Sequence, residues 1–225
     1  MLDSTKKYWF NKDDDTWTQR RKKQRFVRNQ RTGLSFEEDM FELCKSHQIL
    51  FITLNIDERY RDDVGFRTMQ GFRGTLFRRI KEALAYERYR RSIGRALKDD
   101  ERTIFHDIHG LIWRQEAGDD GDGNHHLHIV AFISVSRRDH VTACDELGFA
   151  WQRITQWGDF HNGNRYAHSY KDKWGVAIGY VHRDDEEKRE SLRKLIGLYM
   201  SKVTQAPADR EEDDKLSGRR KFGAD

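Results

Sequence analysis

The sequence predicts an α+β domain: a central, mostly antiparallel sheet flanked by helices. Three observations lead there. Residues 110–134 place two extended runs on either side of a Gly/Asp/Asn cluster, the pattern of a β-hairpin with a long loop. Residues 49–56, "ILFITLNI", are apolar and β-branched, as in a strand buried on both faces. Between and after these runs come stretches with helical spacing, so strands and helices alternate around one hairpin.

Taken in order, residues 1–32 are polar and basic, with Trp9, Phe10, Trp17, Phe26 and Val27 as the apolar anchors, and are read as a flexible arm that orders on binding. A helix is expected from Ser35 to His47, with Ser35 as N-cap, Glu38 three residues on, and Phe36, Met40, Leu43 and Cys44 on its apolar side. Strand 49–56 follows, then a basic helix over about 68–97. After the hairpin, residues 138–154 read as a helix that stops near Gly148, and 157–175 as a loop rich in Gly, Asn and aromatics. Residues 175–183 suit a strand. Residues 184–205 suit a helix capped by Asp184 or Asp185 with acids in its first turn. The main folded domain thus spans 33–206, and the charged residues 207–225 after Pro207 are expected to be a disordered tail.

The net charge of +4 understates a segregated distribution: residues 18–31 carry seven cations and no anion. Arg20, Arg21, Lys22, Lys23 and Arg25 sit there, and a second basic stretch, 73–98, holds Arg78 and Arg79 with Phe77, Tyr86 and Tyr89 interleaved. Cations mixed with aromatics suit phosphates and unstacked bases, whereas either stretch alone also suits a solvated helix face. Nucleic acid is the first partner class to test. The two cysteines, Cys44 and Cys144, lie far apart in sequence, no apolar leader opens the chain, and no run approaches spanning length. A cytoplasmic location, without a membrane partner, is the expectation.

The candidate chemistry lies in "GNHHLHIVA", residues 123–131. If this segment is extended, His126 and His128 share one face. Across the hairpin loop, Glu116 reaches the same face if it sits opposite His126, and a one-residue slip substitutes Gln115. Glu116 is preferred, because an anionic oxygen binds Mg²⁺ or Mn²⁺ better than an amide does. His125 is read as a solvent-facing or DNA-contacting ring. The loop acids Asp119, Asp120 and Asp122 lack calcium-loop spacing and are read as hairpin loop. On the last helix Leu192, Leu195, Ile196, Tyr199 and Val203 form a buried stripe, which turns Tyr199 toward the sheet, with Lys202 beside it.

"FITLN" (51–55), "HLHIV" (126–130) and "YMSK" (199–202) resemble the three ordered motifs of rolling-circle replication initiators of the HUH endonuclease superfamily. Residues 179–205 closely resemble the initiators of filamentous phages and their plasmid and prophage relatives, and "WRQE" (113–116) is similar to that family's pattern ahead of the histidines. The likeness covers about residues 45–205. It departs in one respect: the helix motif holds one tyrosine where some phage initiators have two.

The resemblance implies an HUH-type fold and a divalent metal, Mg²⁺ or Mn²⁺, on His126, His128 and Glu116. It implies Tyr199 as nucleophile, Lys202 as its helper, and a 5′-phosphotyrosine intermediate on single-stranded or hairpin origin DNA. Host replication proteins, including a helicase, are the further partners it implies. His182 and Arg183, just ahead of the last helix, are read either as phosphate contacts or as support behind the site residues, and Arg183 is grouped with the basic DNA-binding residues. A relaxase or single-strand transposase using the same motifs, a nuclease acting through metal-bound water, and a non-catalytic DNA-binding repressor are the rival readings.

Overall fold

The computed structural model describes residues 5–118, 124–205 and 215–222. Six strands form one antiparallel sheet: β1 (Ser46–Ile56), β2 (Ile108–Glu116), β3 (His126–Ile133), β4 (Gly158–Asn162), β5 (Gly179–His182) and β6 (Ser217–Lys221). Their order is β4-β1-β3-β2-β6, and β5 pairs the first half of β1 while β4 pairs its second half. The long apolar run therefore becomes the spine of the sheet, bonded along both edges. The expected hairpin is β2–β3, with Glu116 opposite His126 and Arg114 opposite His128.

Period 2 sorts the strand side chains into two layers. Leu50, Ile52, Leu54, Trp113, Leu127, Ile129 and Ala131 pack against α2 (Phe66–Ser92) and α4 (His140–Thr155). Ile49, Phe51, Ile112, Val130 and Phe132 pack on the opposite side, against α1 (Thr16–Leu43) and α6 (Glu186–Lys194) with the π-helical turn Leu195–Tyr199 that continues it. Two short helices, α3 (Ile104–Asp107) and α5 (Lys171–Trp174), complete the α-helices among the described residues, which also hold four short 3₁₀ turns. No helix of the described residues is long and apolar enough to cross a membrane.

Several elements differ from the sequence reading. Where a flexible arm is expected up to residue 32, α1 runs unbroken from Thr16, capped by Asp15, whose carboxylate accepts from Thr18 N. Ser35 is interior to it, not its cap. The cause is tertiary packing: a Cβ at Gly33 would meet Ile196 Cγ2 at 2.8 Å, so the glycine admits the π turn against α1. Buried Glu37, farther along α1, receives Arg189 Nε and Nη2 of α6, each at 2.9 Å. Phe26 packs with Trp9 and Val203, which ties the N-terminal segment to the far side of the nucleophile-candidate turn.

At the other end, β6 forms within the stretch expected to be a disordered tail, because five residues of edge pairing to β2 need no apolar alternation of their own. Helix α4 continues past Gly148, whose missing side chain admits the Phe160 ring: a Cβ there would come within 2.3 Å of it. Residues 158–162, expected as loop, are β4.

Candidate active site

Glu116, His126 and His128 come together on the face of the sheet that packs against α1 and α6. The Glu116 Oε2 atom lies 3.4 Å from His126 Nε2 and 3.5 Å from His128 Nε2. His126 Nδ1 sits 2.9 Å from the Asn124 carbonyl, which only accepts, so Nδ1 carries the proton and the Nε2 lone pair faces the carboxylate. His128 Nδ1 is 2.9 Å from Thr53 Oγ1 on β1, where the hydroxyl can accept from Nδ1–H and leave Nε2 to the same centre. A carboxylate oxygen facing two imidazole lone pairs is a set of three acceptors that repel one another unless a cation joins them. That donor set fits a small divalent ion held by one carboxylate and two histidines.

Gln115 projects to the other face, where its Oε1 accepts from Arg73 at 2.8 Å and its amide donates to the Phe66 carbonyl. The hairpin register thus selects Glu116 over Gln115 for this cluster. His125 is buried against the ring of Phe66 at 6.2 Å, contrary to the reading of it as a solvent-facing or DNA-contacting ring. It sits just ahead of β3, where the chain turns down into the layer formed by α2. Asp119, Asp120 and Asp122 lie outside the described residues.

Tyr199 is the last residue of the π turn, and its hydroxyl lies 3.0 Å from His128 Nε2. The wider turn swings the ring onto the sheet, where Phe51 meets it edge-on at 5.8 Å and Trp174 lies tilted against it at 5.2 Å. Lys202 Nζ lies 3.2 Å from Glu116 Oε2 and also bonds Gln205 Oε1. The ammonium therefore sits on the oxygen that a metal ion would share.

One central side chain escaped the sequence reading. Arg114, 3% exposed, pairs with Glu116 Oε1 and donates to the Thr204 carbonyl at 2.6 Å. Its position two residues before Glu116, on the same face, was the available signal. Burial works against the Glu116 charge, but the Arg114 guanidinium beside it outweighs burial and holds the carboxyl below the usual carboxylate range. Burial pushes His128 down to about 4, so the ring is neutral at pH 7. Burial, reinforced by the Glu116 charge, raises the Tyr199 phenol above its ordinary value.

A groove of about 1050 Å³ opens beside this centre, reached by Lys202 and Arg114. Arg21, Arg25 and Arg28 line it at helical spacing along one face of α1, and Arg73, Arg219 and Arg220 line it from α2 and β6. Arg73 lies over the Trp113 ring at 3.9 Å and Arg220 over Phe77 at 5.2 Å. Of the basic residues singled out in the sequence, Arg21 and Arg25 line this groove, whereas Arg20, Lys22, Lys23, Arg78, Arg79 and Arg183 do not. Lys22 instead pairs with Asp14 at 2.6 Å, Lys23 covers Trp9, and Arg78 and Arg79 both turn to Glu82. Arg183 lies beside Asp184, with its backbone N–H on the Lys45 carbonyl.

Comparison of the chain with protein-family models, curated proteins and solved structures finds no match.

Proposed function

We propose that this protein is a rolling-circle replication initiator of the HUH type, which nicks and rejoins single-stranded origin DNA through a 5′-phosphotyrosine intermediate. The observation that carries the reading is the Tyr199 hydroxyl, 3.0 Å from a histidine that shares a three-acceptor centre with Glu116 and His126. Such a centre gathers the parts a phosphodiester transfer needs: a nucleophile, a cation site and a positive groove for the strand.

Mg²⁺ or Mn²⁺ held by Glu116, His126 and His128 would supply charge stabilisation to the non-bridging phosphate oxygens. The chain's own residues do the rest. Tyr199 Oη forms a bond to phosphorus in line with the 3′-oxygen, whose bond to phosphorus breaks. The phenolic proton passes to solvent and the departing 3′-oxygen takes one from solvent, so the products are a phosphotyrosine at the 5′ end and a free 3′-hydroxyl. Because the phosphodiester energy is kept in the new ester, the reverse attack rejoins the strand.

Lys202 answers the added charge of the crowded phosphate from the Glu116 side, and Thr53 and the Asn124 carbonyl fix the two imidazoles. The raised phenol keeps Tyr199 protonated until substrate and cation arrive. Arg25, Arg28 and Arg219 along the groove grip phosphates without regard to sequence. Host replication proteins, a helicase among them, are the partners this reading calls for. The free 3′ end is the primer they extend.

The test is to incubate the protein with end-labelled single-stranded DNA from the region around its own coding sequence, with Mn²⁺. A denaturation-resistant protein–DNA adduct is expected, lost on chelation and reduced more than about a thousandfold in Tyr199→Phe. Cleavage without an adduct would indicate a nuclease that uses metal-bound water. Binding without cleavage would indicate a repressor.

A further inference from the structure

A second group of ligating atoms lies at the opposite end of β1 from Thr53. Cys44 is the C-cap of α1, His47 is the second residue of β1, and His109 sits in the irregular step of β2 between Ile108 and Gly110. One ligating atom from each of the three lies within 4.8 Å of the other two. These residues share no side chain with the Glu116 centre, and the proposed strand transfer does not use them.

Hydrogen bonding sets the direction of the rings. His47 Nε2 is 2.8 Å from the Met40 carbonyl, the last-turn acceptor of α1. That carbonyl has no proton to give, so Nε2 is the protonated nitrogen of the neutral ring and its Nδ1 lone pair points the other way. There it meets His109 Nδ1 at 3.4 Å. Two imidazole nitrogens on one tetrahedral metal stand about 3.3 Å apart, given metal–nitrogen bonds of about 2.0–2.1 Å. The rings are thus spaced for a shared ion, with a backbone carbonyl orienting the first as outer-shell partners of zinc histidines do. Phe41 and Phe132 flank His47 edge-on at 5.3 and 5.5 Å and hold its plane. Cys44 and His109 are partly exposed, so an ion has a path in and solvent can complete its shell.

We propose that Cys44, His47 and His109 form a second metal site, selective for a soft or borderline divalent cation such as Zn²⁺. One thiolate and two imidazoles are zinc donors, in contrast to the carboxylate-containing centre near Tyr199. Binding replaces the thiol proton at Cys44, which is released to solvent. The ion ties together the end of α1, the start of β1 and the entry to β2. Because α1 carries Arg21, Arg25 and Arg28, this stitch fixes the wall of the basic groove to the sheet.

The experiment uses the full-length, metal-stripped protein titrated with Co²⁺ and then Zn²⁺. Co²⁺ should give one equivalent of sulfur-to-metal charge-transfer absorption, displaced by Zn²⁺. The band should vanish in Cys44→Ser, survive in Cys144→Ala and His126→Ala, and require at least about tenfold more Co²⁺ in His109→Ala. A wild-type measurement guards against variants that fail to fold. One equivalent of Zn²⁺ should slow the reaction of the Cys44 thiol with a disulfide reagent by about tenfold or more. Co²⁺ binding without a sulfur band, a band that persists in Cys44→Ser, or thiol reactivity indifferent to Zn²⁺ would each overturn the site.

Discussion

Thr53 Oγ1 and His128 Nδ1, on paired positions of β1 and β3, lie 2.9 Å apart, and the opposite nitrogen of the same ring meets Tyr199 and Glu116. A neutral imidazole has one proton, so with Nδ1–H donating to the Thr53 hydroxyl, Nε2 offers a lone pair. Thr53→Val keeps the shape of the side chain and removes the acceptor. Affinity of the Glu116 centre for Mn²⁺ should fall about 10–100-fold, with Thr53→Ser restoring most of it. Isothermal titration on the DNA-free protein reads this directly, and equal affinity in all three proteins would remove Thr53 from the site.

Arg114 and Glu116 form an ion pair in which both partners are almost wholly buried. Removing Arg114 leaves the buried Glu116 charge with Lys202 as its one cationic partner among the described ion pairs and takes away the guanidinium on Oε1. Arg114→Met should therefore lower unfolding free energy by about 3–5 kcal/mol, and the double variant Arg114→Met/Glu116→Gln should recover a large part of it. Urea denaturation of the four proteins of the cycle measures the coupling. Additive losses would mean that the pair contributes nothing beyond its separate interactions.

What the sequence made legible was whatever depends on period and chemistry within a few residues. The hairpin follows from two extended runs around one turn-rich cluster, and alternation puts His126 and His128 on one face; ligand chemistry, not the pattern, favoured Glu116 over Gln115, and the observed register agrees. Tyr199 and its stripe follow from helical spacing. The π turn did not: it packs Ile196 against Gly33 of α1, a contact with no local signature in either segment. Ser35 looked like an N-cap because a cap and a helix-interior serine are the same residue, and only packing along Thr16–Leu43 shows that it lies inside the helix. Arg114 read as one more charge in a basic chain, since burial of a guanidinium depends on a carbonyl 90 residues away, at Thr204. The edge strand β6 has a polar sequence whose order comes from β2.

The groove separates cations that face one another from cations that are merely abundant. Arg28 and Arg219 line it from α1 and β6, while Arg78 and Arg79 turn to Glu82 on the surface of α2. Arg28→Ala/Arg219→Ala should weaken binding of a single-stranded oligonucleotide and make the slope of log K against log salt shallower by about 0.7 for each phosphate that is no longer neutralised. Arg78→Ala/Arg79→Ala should leave both affinity and slope near wild type. Fluorescence anisotropy across a salt series tests both pairs, and the reverse ranking would move the nucleic-acid track off this groove.

Asn164 fills the gap in the edge of β1 between the strands β4 and β5. Its Oδ1 accepts from Phe51 N at 2.7 Å and its Nδ2 donates to the Ile49 carbonyl at 2.9 Å, so the side-chain amide stands in for a neighbouring strand. Phe51 is the residue whose ring meets Tyr199, which links this repair to the position of the nucleophile candidate. Asn164→Ala should cost about 1–3 kcal/mol by leaving the buried Phe51 N–H without an acceptor. Nδ2 also lies 3.0 Å from His140 Nδ1, which must be unprotonated to accept from it. Burial depresses His140 below the ordinary value of 6.5, the Lys188 charge adds to this, and Asp139 opposes it. A folded value below the unfolded one means that the contribution is complete above pH 6.5 and declines as the pH falls through the folded value. Unfolding free energy measured from pH 7.5 to 4.5 should therefore drop less steeply in His140→Gln than in wild type. Parallel pH profiles would show that His140 takes up its proton with the same ease in the folded and unfolded chains.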